Sequence, residues 1–352
     1  MTTKTRYFLV GGTAVLALGL AGGLIAYFGV PAVGALAGEP VELAYVPEDA
    51  TVVAFADVRQ VMDSELRQQL LQMLPGEASS AQAEGRQHFL DTTGIDLEQD
   101  VEHVVAYLLP DADEGGMDDG LVLVRGRFDQ LRIEQLLTEH GGVAETYRGK
   151  RLIVRRFDVP PLPVPSPTPE SPTQNPDFPI QNSEFALGFM QPGLVGVGTR
   201  SALVRAVDLE SGGGVDITRN DRFMVLVRDA EGSDAWAVGR FDRLVDRANV
   251  SQEITDRLPP ITYFAASGQI NGGLSARIRA EARDEQAAQQ LNEVVRGFVA
   301  LAKLQSASVP QLTTILDSLQ LQSDGTGVVL SFTLPAEALQ ELLQALPDGP
   351  PQ

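Results

Sequence analysis

The stretch Gly126-Arg127-Phe128-Asp129-Gln130-Leu131 ends the apolar run Leu121-Val122-Leu123-Val124 and opens an amphipathic segment, Leu131 to Leu137. It reads as a strand that stops at Phe128 and hands over to a helix. Asp129 is the expected N-cap, because its carboxylate can accept a hydrogen bond from an amide that the first helical turn leaves unpaired. A close copy lies at Ala235-Trp236-Ala237-Val238-Gly239-Arg240-Phe241-Asp242-Arg243-Leu244, with Asp242 in the capping place. The joint recurs in other letters at Ala54-Phe55-Ala56-Asp57-Val58 and at Ser331-Phe332-Thr333-Leu334-Pro335. This strand-to-helix joint is the expected building unit of the fold, and it reveals no chemistry.

Upstream of the first joint, Thr51 to Ala56 reads as a strand rich in β-branched and aromatic residues. Val58, Val61, Met62, Leu66, Leu70 and Leu74 follow at helical spacing. Val101 to Leu109 and Leu121 to Phe128 read as a hairpin. Downstream come a helix over Asp129 to His140, strands around Tyr147 and Leu152 to Val154, a hairpin of Phe185–Phe189 with Leu194–Gly198, and a helix over Ser201 to Leu209. Ser211-Gly212-Gly213-Gly214 marks a break. Beyond it the order repeats: a strand to Phe241, a short helix, a hairpin over Thr262–Arg283, a helix over Glu285–Leu304, a hairpin over Leu319–Leu334 and a helix over Ala336–Leu346.

Strand, helix, hairpin, helix, hairpin, helix therefore occurs twice. The expected fold class is α+β: a duplicated module of antiparallel sheet with helices packed on it, preceded by one N-terminal transmembrane helix. The expected divisions are 1–40 for a cytoplasmic stub and anchor or signal peptide, 41–214 for the first module, and 215–352 for the second. Residues 158–183 are different in kind. Nine prolines from Pro160 to Pro179 crowd a segment with almost no large apolar side chains. Proline cannot donate to a ladder, so the segment reads as an extended or disordered excursion between two strands of one domain, or else as an interdomain linker.

Tyr7 to Val30 carries no charge. Those 24 residues exceed the roughly 20 needed to span a bilayer. Lys4 and Arg6 lie before it, and the next basic residue is Arg59. This asymmetry predicts a single pass through a bacterial inner membrane, with the N-terminus in the cytoplasm and the bulk outside. The alternative is a signal peptide cleaved near Ala37, after the small residues of Ala35-Leu36-Ala37. The run is longer than an ordinary signal core, which favours an anchor. The chain has 27 basic against 47 acidic residues, a net charge of −20, and no cysteine. That field repels phosphate backbones and anionic headgroups alike, so nucleic acid is not an expected partner. Disulfides, zinc–thiolate sites and iron–sulfur clusters are excluded.

No stretch nominates a catalytic, cofactor-binding or metal-ligating residue. Gly196-Val197-Gly198-Thr199-Arg200-Ser201 imitates a dinucleotide-binding turn, with Asp216 about 20 residues on. Such a turn needs a parallel βαβ unit, whereas this one follows a hairpin, so it reads as a plain strand-to-helix turn. The acidic tip Asp111 to Gly120 offers oxygens for calcium, but Gly115 and Val122 stand where an EF-hand needs acids. It reads as a solvated turn. His88, His103 and His140 are far apart in sequence. Arg127 and Arg240 occupy matched places in the two joints and could bind an anion, or pair with neighbouring acids. Trp236 alternates with Val238 as a core residue would. Asn249-Val250-Ser251 is a sequon with meaning only in a eukaryotic secretory pathway.

Tyr45-Val46-Pro47-Glu48-Asp49-Ala50-Thr51-Val52-Val53-Ala54-Phe55-Ala56-Asp57-Val58, then Tyr147-Arg148-Gly149-Lys150, then Gly196-Val197-Gly198-Thr199 with Val204-Arg205-Ala206-Val207 resemble a family of uncharacterised bacterial exported proteins, domain of unknown function 3352. The resemblance implies an N-terminal membrane anchor and an envelope location, and it supplies no activity or catalytic residue. The functional expectation is a non-enzymatic, periplasmic binding or interaction module without a cofactor, held in the membrane through Tyr7–Val30. Its partner would be an envelope protein. The alternative is a carrier or sensor with an apolar cavity for a lipid-like ligand, where small residues in Phe185–Gly198 and Ala265–Gly273 leave room beneath helices. A hydrolase is third.

Overall fold

The computed structural model describes residues 39–64, 86–87, 89–110, 119–157, 183–247, 259–270, 273–306 and 316–336. The described strands are β1 (Val52–Asp57), β2 (Val101–Leu108), β3 (Gly120–Gly126), β4 (Val143–Tyr147), β5 (Lys150–Phe157), β6 (Ser183–Gln191), β7 (Leu194–Thr199), β8 (Ala235–Arg240), β9 (Ile261–Ile270), β10 (Gly273–Ala282), β11 (Gln320–Asp324) and β12 (Gly327–Pro335). They form one sheet in the order β11-β12-β10-β9-β8-β1-β2-β3-β7-β6-β5-β4, and neighbours pair antiparallel throughout. The described helices include α1 (Val58–Asp63), α2 (Gln130–Glu139), α3 (Arg200–Glu210), α4 (Asp221–Asp229), α5 (Phe241–Arg247) and α6 (Glu285–Ser306).

The antiparallel α+β class is as the sequence reads. The strand order also shows how the two halves meet. From the central β1–β8 pair, one half runs β1-β2-β3, then β7-β6, then β5-β4, and the other runs β8-β9-β10-β12-β11. Without the β6–β7 hairpin the two orders are the same. The halves share one continuous sheet through Phe55 opposite Trp236 and Ala54 opposite Ala237. The Pro-rich segment leaves β5 after Phe157 and returns at Ser183, its partner in the adjacent strand. It therefore joins neighbouring strands of one sheet.

One face of the central strands is the main core. Val53 and Phe55, Val105 and Tyr107, Leu121 and Leu123, and Trp236 and Val238 keep period-two spacing and are buried. A 3-10 turn (Val41–Tyr45), α3 and α4 cover them. Gly188 and Gly196 let α3 come close, because a Cβ at Gly196 would sit 2.8 Å from Leu203 Cδ1, and one at Gly188 3.3 Å from Cδ2. The room expected beneath a helix at Phe185–Gly198 is thus taken by Leu203, which is fully buried. Helix α4 was not anticipated, although Asn220 caps it through the Phe223 amide at 3.1 Å and Phe223, Met224, Leu226 and Val227 form its buried stripe. On the opposite face, α2 pairs Glu134 with Arg151 at 2.8 Å. There α6 buries Ala287, Ala288 and Leu291 against Ala282 and Val328.

The two look-alike joints prove not to be equivalent. Asp129 caps α2, its Oδ1 accepting from the Arg132 amide at 3.1 Å. Asp242 lies within the first turn of α5, and its Oδ2 stands 3.7 Å from Arg240 Nη2. The helix begins two residues earlier there, at Phe241, which moves Asp242 out of the capping place. By strand order the counterpart of the β3–α2 joint is β10–α6, where Asp284 Oδ1 accepts from the Ala287 amide at 2.8 Å. The counterpart of β8–α5 is β1–α1, where Asp57 Oδ1 accepts from the Arg59 amide at 3.1 Å. The Pro335 joint leads into Ala336 at the limit of the described residues. Among the described residues no helix is long and apolar enough to cross a membrane. Tyr7–Val30, the continuation of α1 to Leu74 and the helix expected after Ala336 lie outside them.

Candidate functional site: a buried ionic row

Asp57, His103 and Arg125 are direct cross-strand neighbours on β1, β2 and β3. Each keeps the parity of the buried apolar residues on its own strand: Phe55, Val105 and Leu123. Asp234, one residue before β8, extends the row, because the Asp57 amide donates to the Asp234 carbonyl at 3.3 Å. Glu42 reaches the row from the 3-10 turn above it. The exposures of Glu42, Asp57, His103 and Asp234 are 1, 8, 7 and 9%, so four ionisable side chains sit in a region built for apolar ones.

Glu42 Oε1 accepts from Arg125 Nε at 2.8 Å and stands 2.7 Å from Arg125 Nη2. Its Oε2 lies 3.1 Å from His103 Nε2, off the alignment of a hydrogen bond. Burial pushes the Glu42 carboxyl up, but the contacts with His103 and Arg125 outweigh it and hold the pKa at about 2, below the ordinary 4.5. Asp57 and Asp234 behave oppositely. Burial raises both, against the opposing hydrogen bonds from backbone amides, which for Asp234 come from Ile270. Phe55 connects the row to the core, its ring 5.7 Å from His103 and 5.7 Å from Trp236.

Chemically this row is a clamp. A carboxylate on the first turn among the described residues is locked to a guanidinium in β3, with Leu43 and Tyr45 buried beside it. Sequence reasoning missed Glu42, Asp57 as a row member, Arg125 and Asp234. The signal was present as polar residues in apolar parity: His103 among Val101, Val105 and Tyr107, and Arg125 after Leu121 and Leu123.

The other candidates are not brought together. At Gly196–Ser201 the strand β7 is antiparallel to both neighbours. The ground before α3 is held by the Asp119 carboxylate, which accepts from Thr199 Oγ1 and, at 2.8 Å, from Ser201 Oγ. A carboxylate there excludes a phosphate by charge. Arg127 pairs with Asp100 at 3.1 Å. His140 Nδ1 contacts the Leu136 carbonyl within its own helix at 2.7 Å, and Trp236 is a core residue, 5% exposed. Residues 111–118, His88 and Asn249 lie outside the described residues. Among the described residues no group of His, Asp and Glu has metal-holding geometry.

Compared with known proteins, the chain matches no family model, no curated protein and no solved structure.

Proposed function

We propose that this chain is a membrane-anchored, extracytoplasmic binding module of the bacterial envelope, non-enzymatic, with an envelope protein as partner. The observation that carries the reading is the uncharged run Tyr7 to Val30 behind Lys4 and Arg6. The fold supports it in one respect. Between Val30 and Glu39 only residues 31–38 intervene, and at Glu42 the chain is already clamped into the sheet. A tether this short holds a folded body close to the bilayer. The reading is tested by fractionating cells that express the full chain, then cross-linking in intact membranes. Recovery in the membrane pellet after carbonate washing, with a reproducible cross-linked partner, is expected. A soluble product starting near Gly38 would overturn the anchor.

The carrier reading has one observation in its favour, a cleft of about 220 Å³ between α6 and the β11–β12 hairpin, lined by Val299, Ala300, Leu319, Leu321 and Leu330. Pockets for small molecules of ordinary size run from roughly 300 to 1,000 Å³, so the cleft is small for a lipid. Lipid extraction of the purified chain, with mass spectrometry of the extract, tests this second reading.

A further inference from the structure

We propose that the C-terminal half of α6 rests on the phospholipid surface beside the anchor, with Phe298, Leu301 and Leu304 entering the headgroup boundary and Arg296 and Lys303 reaching lipid phosphates. This inference deepens the anchored reading and rests on it. The first observation is local composition. Residues 294–306 hold two cations and no acid, in a chain of net charge −20, and no basic residue follows Lys303. The second is exposure. Phe298, Leu301 and Leu304 are 44, 41 and 79% exposed, while the N-terminal half of the same helix buries Ala287, Ala288 and Leu291. At 100° per residue these three climb one flank, and Arg296 and Lys303 stand on the other, beside the cleft. Such a division of apolar and basic side chains is that of an interfacial helix.

The third observation is position. Helix α6 starts against Ala282 and Val328 and runs toward Leu319, where Lys303 Nζ lies 3.6 Å from Asp317. Its C-terminal half therefore lies at the end of the sheet where β11 begins and β12 finishes. By the strand registers this is also the end where β8 begins and β1 finishes. The chain emerges from its tether at the same end. Glu39 Oε1 accepts from Arg228 Nε at 2.8 Å on α4, which leads into β8, and Glu42 sits over His103 and Arg125 near the finish of β3. From β8 to β12 is three strand spacings, about 15 Å, and the turn and α6 lie on opposite faces of the sheet, about 20 Å apart across it, so the separation is roughly 25 Å. Residues 31–38 reach up to about 28 Å when extended, so anchor and helix end can meet one bilayer surface. The acidic field of the whole chain opposes the approach, but charges farther than about 10 Å are screened at ordinary ionic strength.

The absence of cysteine makes the test clean. Full-length chains carrying Leu301→Cys, Leu304→Cys or, as a control at the opposite end of the strands, the exposed Val143→Cys are labelled with a nitroxide. They are reconstituted in phosphatidylethanolamine–phosphatidylglycerol vesicles and floated. All three positions are exposed, so the substitutions leave the core intact. At 301 and 304 the expected signal is greater collision with membrane-dissolved oxygen than with an aqueous nickel chelate, and the reverse at 143. Adding Arg296→Gln and Lys303→Gln should move the 301 and 304 labels toward water. Floating vesicles with all three labels equally water-accessible would overturn the docking and leave the anchor standing. Failure to float would remove the anchor, and the docking with it.

Discussion

Glu42 and Arg125 are joined across 83 residues of sequence by two short contacts from one carboxylate oxygen, 2.8 Å to Nε and 2.7 Å to Nη2. The pair fastens the 3-10 turn over Val41–Tyr45 to the third strand of the sheet. Removing Arg125 leaves the Glu42 carboxylate buried without its main partner, and breaking a buried pair in this way costs about 3–5 kcal/mol. Arg125→Ala should destabilise on that scale in denaturant unfolding, and Glu42→Ala by less, because the Arg125 side chain is 19% exposed and regains water. Replacing both by apolar residues of similar volume, Glu42→Leu with Arg125→Met, should recover most of the loss. Equal stability of the single variants and the parent would remove the clamp.

The same pair sets an acid limit. The folded Glu42 pKa, about 2, lies below its ordinary 4.5, so the unfolded chain takes up the proton first. Its contribution is complete above pH 4.5 and is lost as pH falls toward 2. Unfolding measured across that window should lose this component of its slope in Glu42→Gln. An unchanged slope would show that Glu42 is not the group titrating.

Asp57 and Asp234 should act in the other direction. Burial raises both above their ordinary 3.8, so the folded chain binds the proton more tightly. Their charged forms weaken the fold above the raised folded pKa, and the penalty is relieved as pH falls through it toward 3.8. Asp57→Asn and Asp234→Asn keep an acceptor oxygen and should be neutral or stabilising at pH 7. A loss at neutral pH, equal to that of the alanine variants, would mean that the charge itself is needed.

Helix capping separates residues that look alike in sequence. Asp129→Ala should cost about 1 kcal/mol, with Asn better tolerated. Asp284→Ala should destabilise in the same direction, because it removes the acceptor for the Ala287 amide. Asp242→Ala should stay within about 0.5 kcal/mol of the parent, as an exposed surface change does. An Asp242 effect as large as that of Asp129 would restore the repeated-joint account.

Cleavage within 158–182 should leave the two fragments associated. The flanking strands are paired from Leu152 opposite Gly188 to Phe157 opposite Ser183, and that ladder does not depend on the chain that connects it. Size-exclusion chromatography after limited proteolysis checks this, and separation of the pieces would contradict the single sheet.

Much of the chain's organisation was local, and so legible in the sequence. Alternating Val, Leu and Ile marked the strands. Asp129 marked a helix start, and prolines marked the excursion, because period, capping and proline geometry act over a few residues. Only the tertiary structure decided which joints correspond. Gly126–Leu131 and Gly239–Leu244 share letters, but equivalence is set by strand order, which depends on pairing between residues far apart in the chain. It also decided that Leu203 fills the space over Gly188 and Gly196, since helix approach depends on both surfaces at once. The ionic row belongs to the same class. Glu42, Asp57, His103, Arg125 and Asp234 are scattered over 193 positions, and it is the antiparallel register of β8, β1, β2 and β3 that sets the last four in one row, where Glu42 reaches His103 and Arg125 from its turn.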